Sequence, residues 1–162
     1  MKSKAYIETS VISYYTARPS RDLVVAAHQE ITHEWWDDYR FNYDLYTSQV
    51  VFDEASAGNP EASTKRIQAL QGIELLDVSN EAADLAEKLI AQKCLPPKAA
   101  EDALHIAITA VHGMDYLITW NCKHIANAQM RSAIESVIRQ SGYQPPVICT
   151  PEELLGDKDN VD

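Results

Sequence analysis

Short β-prone runs alternate with longer helical patterns along nearly the whole chain, and this alternation constrains the fold more than any other feature. Residues 5–8, 44–48, 73–77, 116–119 and 147–150 read as strands. Thr9-Ser10 reads as a helix cap followed by an apolar stretch to Tyr15. A long amphipathic helix follows Ser20, with Val24, Ala27, Ile31, Trp35 and Tyr39 three or four residues apart. Further helical patterns span 49–57, then 60–71 behind Asn59-Pro60, then from the Ser79 cap to about Lys93. Pro96-Pro97 interrupts, and helices over 98–112 and 123–140 complete the set. Thr150-Pro-Glu-Glu153 reads as a capping box for a final short helix. Gly58, Gly72, Gly113, Gly142 and Gly156 fall where helical patterns stop, which suits a left-handed residue beyond a helix end.

Strands separated by helices imply βαβ units, hence an α/β fold with a parallel sheet flanked by helices on both faces. At 162 residues and 46% apolar content, one domain over 1–156 is expected, with an acidic, mobile tail over 157–162. No apolar run approaches the ~18 residues that suggest a membrane span, and Met1-Lys2-Ser3-Lys4 leads into a strand rather than a signal peptide, so the expected location is the cytoplasm. Cys94, Cys122 and Cys149 are odd in number and lack C-x-x-C spacing, so they read as reduced, buried thiols. No G-x-G-x-x-G, P-loop or G-x-S-x-G motif is present, which removes those nucleotide cradles and serine-hydrolase chemistry. The net charge of −10 opposes coating of nucleic acid by the overall field, although Lys2, Lys4, Arg18 and Arg21 face only Glu8 within the first 21 residues.

In such folds ligands gather at the carboxyl ends of the strands. Glu8 ends the first strand, Asn121 follows the fourth, and Glu54 and Asp102 lie on helices following the second and third. If the three acids converge, their oxygens suit a hard cation such as Mg²⁺ or Mn²⁺, and their mutual repulsion argues for one. Each also has a structural reading. Asp102 is a first-turn helix acid favoured by the dipole, Glu54 beside Asp53 reads as a solvated flank, and Glu8 after Tyr6-Ile7 needs a hydroxyl or a metal. His105, three residues after Asp102, can orient a carboxylate or satisfy a core hydrogen bond. Trp35, Trp36 and Tyr39 read as core or subunit contact ahead of base stacking.

Tyr6-Ile7-Glu8-Thr9-Ser10, Glu54, Glu101-Asp102-Ala103-Leu104-His105 and Leu117-Ile118-Thr119-Trp120-Asn121, in this order, resemble the PIN-domain family, closest to the VapC-type toxins of toxin-antitoxin pairs. The resemblance implies a metal-dependent ribonuclease in which Glu8, Glu54 and Asp102 hold Mg²⁺ or Mn²⁺ and a metal-activated water cleaves RNA. It implies that Thr119 braces the site, with Thr9, Ser10, His105 and His124 in support, and that Asn121 offers an oxygen to the cation or its water. The family usually carries Asp at the first position, and a further acid after the fourth strand, where this chain has Asn121 and His124. Arg18, Arg21, Lys98 and Lys123 are candidates to steer the RNA backbone. The resemblance further implies a homodimer and a cognate antitoxin partner. The competing reading is a PIN-like module that has lost turnover and binds RNA or protein; a phosphoacceptor domain fits only the segment 73–77.

Overall fold

The computed structural model describes residues 1–156; the expected mobile tail lies outside the described residues. Five strands, β1 (Ser3–Ile7), β2 (Tyr43–Ser48), β3 (Glu74–Leu76), β4 (Tyr116–Ile118) and β5 (Val147–Cys149), form one parallel sheet in the order β3-β2-β1-β4-β5. The register pairs Ala5 with both Leu45 and Tyr116, and Ile118 with Ile7 and Cys149. β1 and β4 are central, which explains why Ala5, Tyr6, Ile7, Leu117 and Ile118 form an apolar run with no exposed alternate face.

The helices form two groups. α1 (Thr9–Thr16), α2 (Leu23–Glu34), α3 (Gln49–Ala55) and α4 (Pro60–Leu70) connect β1, β2 and β3, and α1 packs against α2, α3 and α4. α5 (Asn80–Ala91), α6 (Ala100–Val111) and α7 (Ala128–Gln140) form the second group, α5 packing against both α6 and α7. Their amphipathic faces explain the division: Ala82, Leu85, Ala86 and Leu89 of α5 are buried, as are Ile134, Val137 and Ile138 of α7. Among the described residues, no helix is long and apolar enough to cross a membrane.

Several local expectations are corrected. The cap of α1 is Glu8, whose carboxylate accepts from the Ser10 backbone N–H, so β1 ends at Ile7. The helix after Ser20 changes form at Trp35: residues Trp35–Tyr39 make a wide π turn, closed by the Arg40 N–H on the Trp35 carbonyl. Both tryptophans are buried, and Trp36 stacks on Tyr15 at 4.9 Å, so these two rings belong to the core, while Tyr39 is only partly buried. Residues 123–127 are not helical. Asn127 caps α7 through the Gln129 N–H, and the segment before it turns back as Ile125 and Ala126 donate to the Asn121 carbonyl. Cys94 and Cys149 are buried thiols, but Cys122 in this turn is exposed. Four of the five glycines adopt positive φ as expected, for example Gly113 at 69°; Gly156 does not.

Candidate active site

The strand order reverses between β1 and β4, opening a crevice outside the carboxyl ends of the sheet. Glu8 leaves β1 into this crevice, 5% exposed. Its Oε1 accepts from Ser10 Oγ and Thr119 Oγ1, both at 2.5 Å, and its Oε2 accepts from the Ser10 N–H at 3.0 Å. Those hydroxyls are oriented by backbone donors on the far side of β4: Trp120 N–H donates to Ser10 Oγ and Asn121 N–H to Thr119 Oγ1. Glu8 thus finds hydroxyl partners, one of the two outcomes its burial demanded.

Glu54 enters from α3. Its Oε1 accepts from Thr9 Oγ1 at 2.8 Å and from His105 Nε2 at 2.6 Å. His105, on α6, is fully buried, and its Nδ1 lies 2.8 Å from Tyr6 Oη, itself 2.8 Å from Ser48 Oγ. Burial alone would lower the His105 pKa, but the hydrogen bond to Glu54 and the charges of Glu8, Glu54 and Asp102 outweigh it and raise it above the ordinary value. Burial likewise works to raise that of Glu54, and His105 and Thr9 overcome it, holding the carboxyl below its ordinary value. Each partner's shift thus favours its charged form. His105 Nε2 donates to the Glu54 carboxylate, and Nδ1, the Tyr6 hydroxyl and the Ser48 hydroxyl continue the chain of hydrogen bonds into the core.

Asp102 sits in the first turn of α6, which runs back toward the start of β4 and so presents its N-terminus to the same crevice. Asn121 Nδ2 donates to Asp102 Oδ1 at 3.0 Å, and His124 Nδ1 lies 3.1 Å from Oδ2. Asn121 Oδ1 accepts from the His124 N–H at 3.1 Å, which leaves the amide nitrogen facing Asp102. The Asn121 oxygen thus holds the turn through one of its two lone pairs.

The sequence reading placed Glu8, Glu54, Asp102, Thr9, Ser10, His105, Thr119, Asn121 and His124 in one site, and the hydrogen bonds link these residues around the crevice. The four basic candidates are more dispersed. Arg18 pairs with Glu61 at 3.6 Å, Arg21 lies in an exposed bend before α2, Lys98 in the single turn Pro97–Ala99, and Lys123 in the exposed turn after Asn121. Sequence reasoning missed Tyr6 and Ser48. A tyrosine inside an apolar strand needs a buried partner for its hydroxyl, and that was the available signal.

Side-chain donors also answer the converging acids. His105, His124, three hydroxyls and an amide lie against the three carboxylates. Among the described residues, no three His, Cys, Asp or Glu side chains stand in a geometry that cages a metal. The donor chemistry nevertheless fits one hard cation, since the three acids supply only oxygen and Mg²⁺ is commonly held by one or two carboxylates together with substrate phosphates. It does not fit a second, because Asn121 and His124 turn N–H donors or an imidazole toward Asp102. A cleft of about 490 Å³ opens beside Glu8 and Glu54 and continues along Ser13, Tyr14 and Ala17 to Val25.

No curated protein is similar in sequence at a significant level. Among solved structures, the chain is similar to one in the crystal structure of VapBC2 from Rickettsia felis bound to a DNA fragment from their promoter. The TM-score is 0.60 and the identity 15%, over 91% of this chain and 98% of that one. At this identity the likeness establishes the fold. The PIN domain model matches residues 5–123, which span β1 through the Asn121 turn and hold every acid of the crevice, and on that match the chain belongs to the PIN-domain family.

Proposed function

We propose that the protein is a metal-dependent ribonuclease, an endonuclease of the VapC toxin type, with Glu8, Glu54 and Asp102 as its catalytic acids. The observation that carries this reading is that three carboxylates from three separate elements gather around one buried histidine at the switch point of a parallel sheet. Glu8, Glu54 and Asp102 would hold a single Mg²⁺ or Mn²⁺, which when bound supplies an activated water and neutralises the scissile phosphate. The remaining roles fall to side chains. His105 fixes the Glu54 rotamer, Thr119 and Ser10 fix Glu8, and Asn121 with His124 fixes Asp102. Arg18, Arg21, Lys98 and Lys123 are assigned to steering the RNA backbone from exposed positions.

The resemblance and the fold of the toxin-antitoxin structure support an antitoxin partner, and the family supports a homodimer. A second reading, a PIN-like module that binds RNA or protein without turnover, is favoured by the neutral Asn121 and by the full set of protein donors on Asp102.

Purified protein incubated with unstructured and structured RNAs in Mn²⁺, in Mg²⁺ and in chelator, beside Asp102→Asn, separates these readings. Cleavage that requires the metal and Asp102 is expected. Cleavage that survives either removal overturns the mechanism, and RNA binding without cleavage selects the second reading. Growth arrest on expression, relieved by the adjacent gene, tests the toxin assignment.

A further inference from the structure

The cleft beside Glu8 and Glu54 is not lined by acids along its length. Beyond Ser13 its wall is Tyr14, Ala17 and Val25 with the amide of Gln29, so it becomes a largely apolar slot of a size that takes a small ligand. The Tyr14 ring is held by T-shaped contacts with His28 and Trp120, at 6.1 and 6.0 Å, and these two rings stack on each other at 4.1 Å. Ala17 is shared with a second hollow of about 330 Å³, which takes in Arg18, Glu61 and Lys65. The two cations there share one carboxylate, Arg18 at 3.6 Å and Lys65 at 3.9 Å from Glu61 Oε1, and all three are largely exposed. Exposed pairs of this kind are weak and readily exchanged for another anion. The turn carrying Arg18 is pinned by buried Gln29, which donates to the Arg18 carbonyl and accepts from the Ser20 N–H.

We propose that this groove is a single-stranded RNA subsite: the Tyr14–Ala17–Val25 slot takes one nucleobase beside the acids, and Arg18 with Lys65 takes the adjoining phosphate. The choice of ligand rests on the ribonuclease reading. The occupant follows from charge and chemistry, because a largely apolar slot walled by an aromatic ring adjoins, through Ala17, a hollow with two cations, and a base followed by its phosphate presents the same order of groups along an unstacked strand. A duplex keeps its bases stacked and cannot fill the slot.

The test is binding of a fluorescent unstructured oligouridine to the full chain in EDTA, read by anisotropy, so that no turnover and no metal enters the result. Tyr14→Ala is expected to weaken binding about tenfold. Ala17→Leu fills the slot from an exposed position and should act similarly with an unchanged melting temperature, which guards against a folding artefact at Tyr14. Arg18→Ala with Lys65→Ala should lower the slope of log affinity against log salt by about 1. Wild-type affinity in both slot variants, an unchanged salt slope, or equal binding of a duplex would each overturn the proposal. Failure of cleavage in Mn²⁺ with these binding effects intact would instead count against the acids and leave the groove standing.

Discussion

His105 and Glu54 form a largely desolvated hydrogen-bonded pair whose opposite pKa shifts set a pH window. The lowered Glu54 value gives stability that is present above its ordinary pKa of 4.5 and lost as pH falls through the folded value. The raised His105 value gives stability that is complete below its ordinary 6.5 and lost as pH rises through the folded value. The stability difference between wild type and His105→Gln should therefore be greatest between those two values and shrink on either side, as read from urea melts across pH. His105→Ala should cost about 3–5 kcal/mol inside that window, since it strands a part-buried carboxylate. A flat difference across pH would contradict the ion pair. The acids themselves were legible in the sequence as acids at strand ends. So were the residues that hydrogen-bond them, but the partners behind His105 were not, because Tyr6 reaches it from 99 residues away along the chain and Ser48, 57 residues away, joins through Tyr6.

At the scale of elements, the segment from Thr119 to Asn127 joins β4 to α7 and supplies most of the clamp on Asp102 and Glu8. Its course is set by Asn121, whose backbone carbonyl and side chain both accept from the turn, and by Asn127, which caps α7. Asn127→Ala should cost about 1 kcal/mol in chemical denaturation. Asn121→Ala should in addition release His124 from its place beside Asp102, seen as a changed His124 imidazole resonance by NMR. An unaltered resonance would show that the turn holds without the Asn121 side chain. Helical periodicity across 123–127 suggested helix, and only local capping by two asparagines broke it. The π turn at Trp35 has a similar origin. Two consecutive tryptophans must both reach the core, which a regular α-helix resists because neighbouring residues point about 100° apart.

Across the whole molecule, three acids meet in a protein that already carries a net charge of −10, yet side-chain donors answer each of them. Stability should therefore not depend on a divalent ion. EDTA is expected to leave the melting temperature of the RNA-free protein unchanged, and Mn²⁺ should raise it more when unstructured RNA is present, since phosphate oxygens complete the cation's shell. A large loss of stability in EDTA would show instead that the metal is structural.

By itself the sequence determined the alternation of strands and helices, the parallel sheet and the acids at its carboxyl edge, because periodicity, caps and breakers act over a few residues. The strand order, the buried Ser48–Tyr6–His105–Glu54 chain and the orientation of the Asn121 amide were decided only by the tertiary structure. Each depends on groups distant along the chain meeting where water is excluded, and there an unpaired donor or acceptor costs more than the geometry needed to pair it.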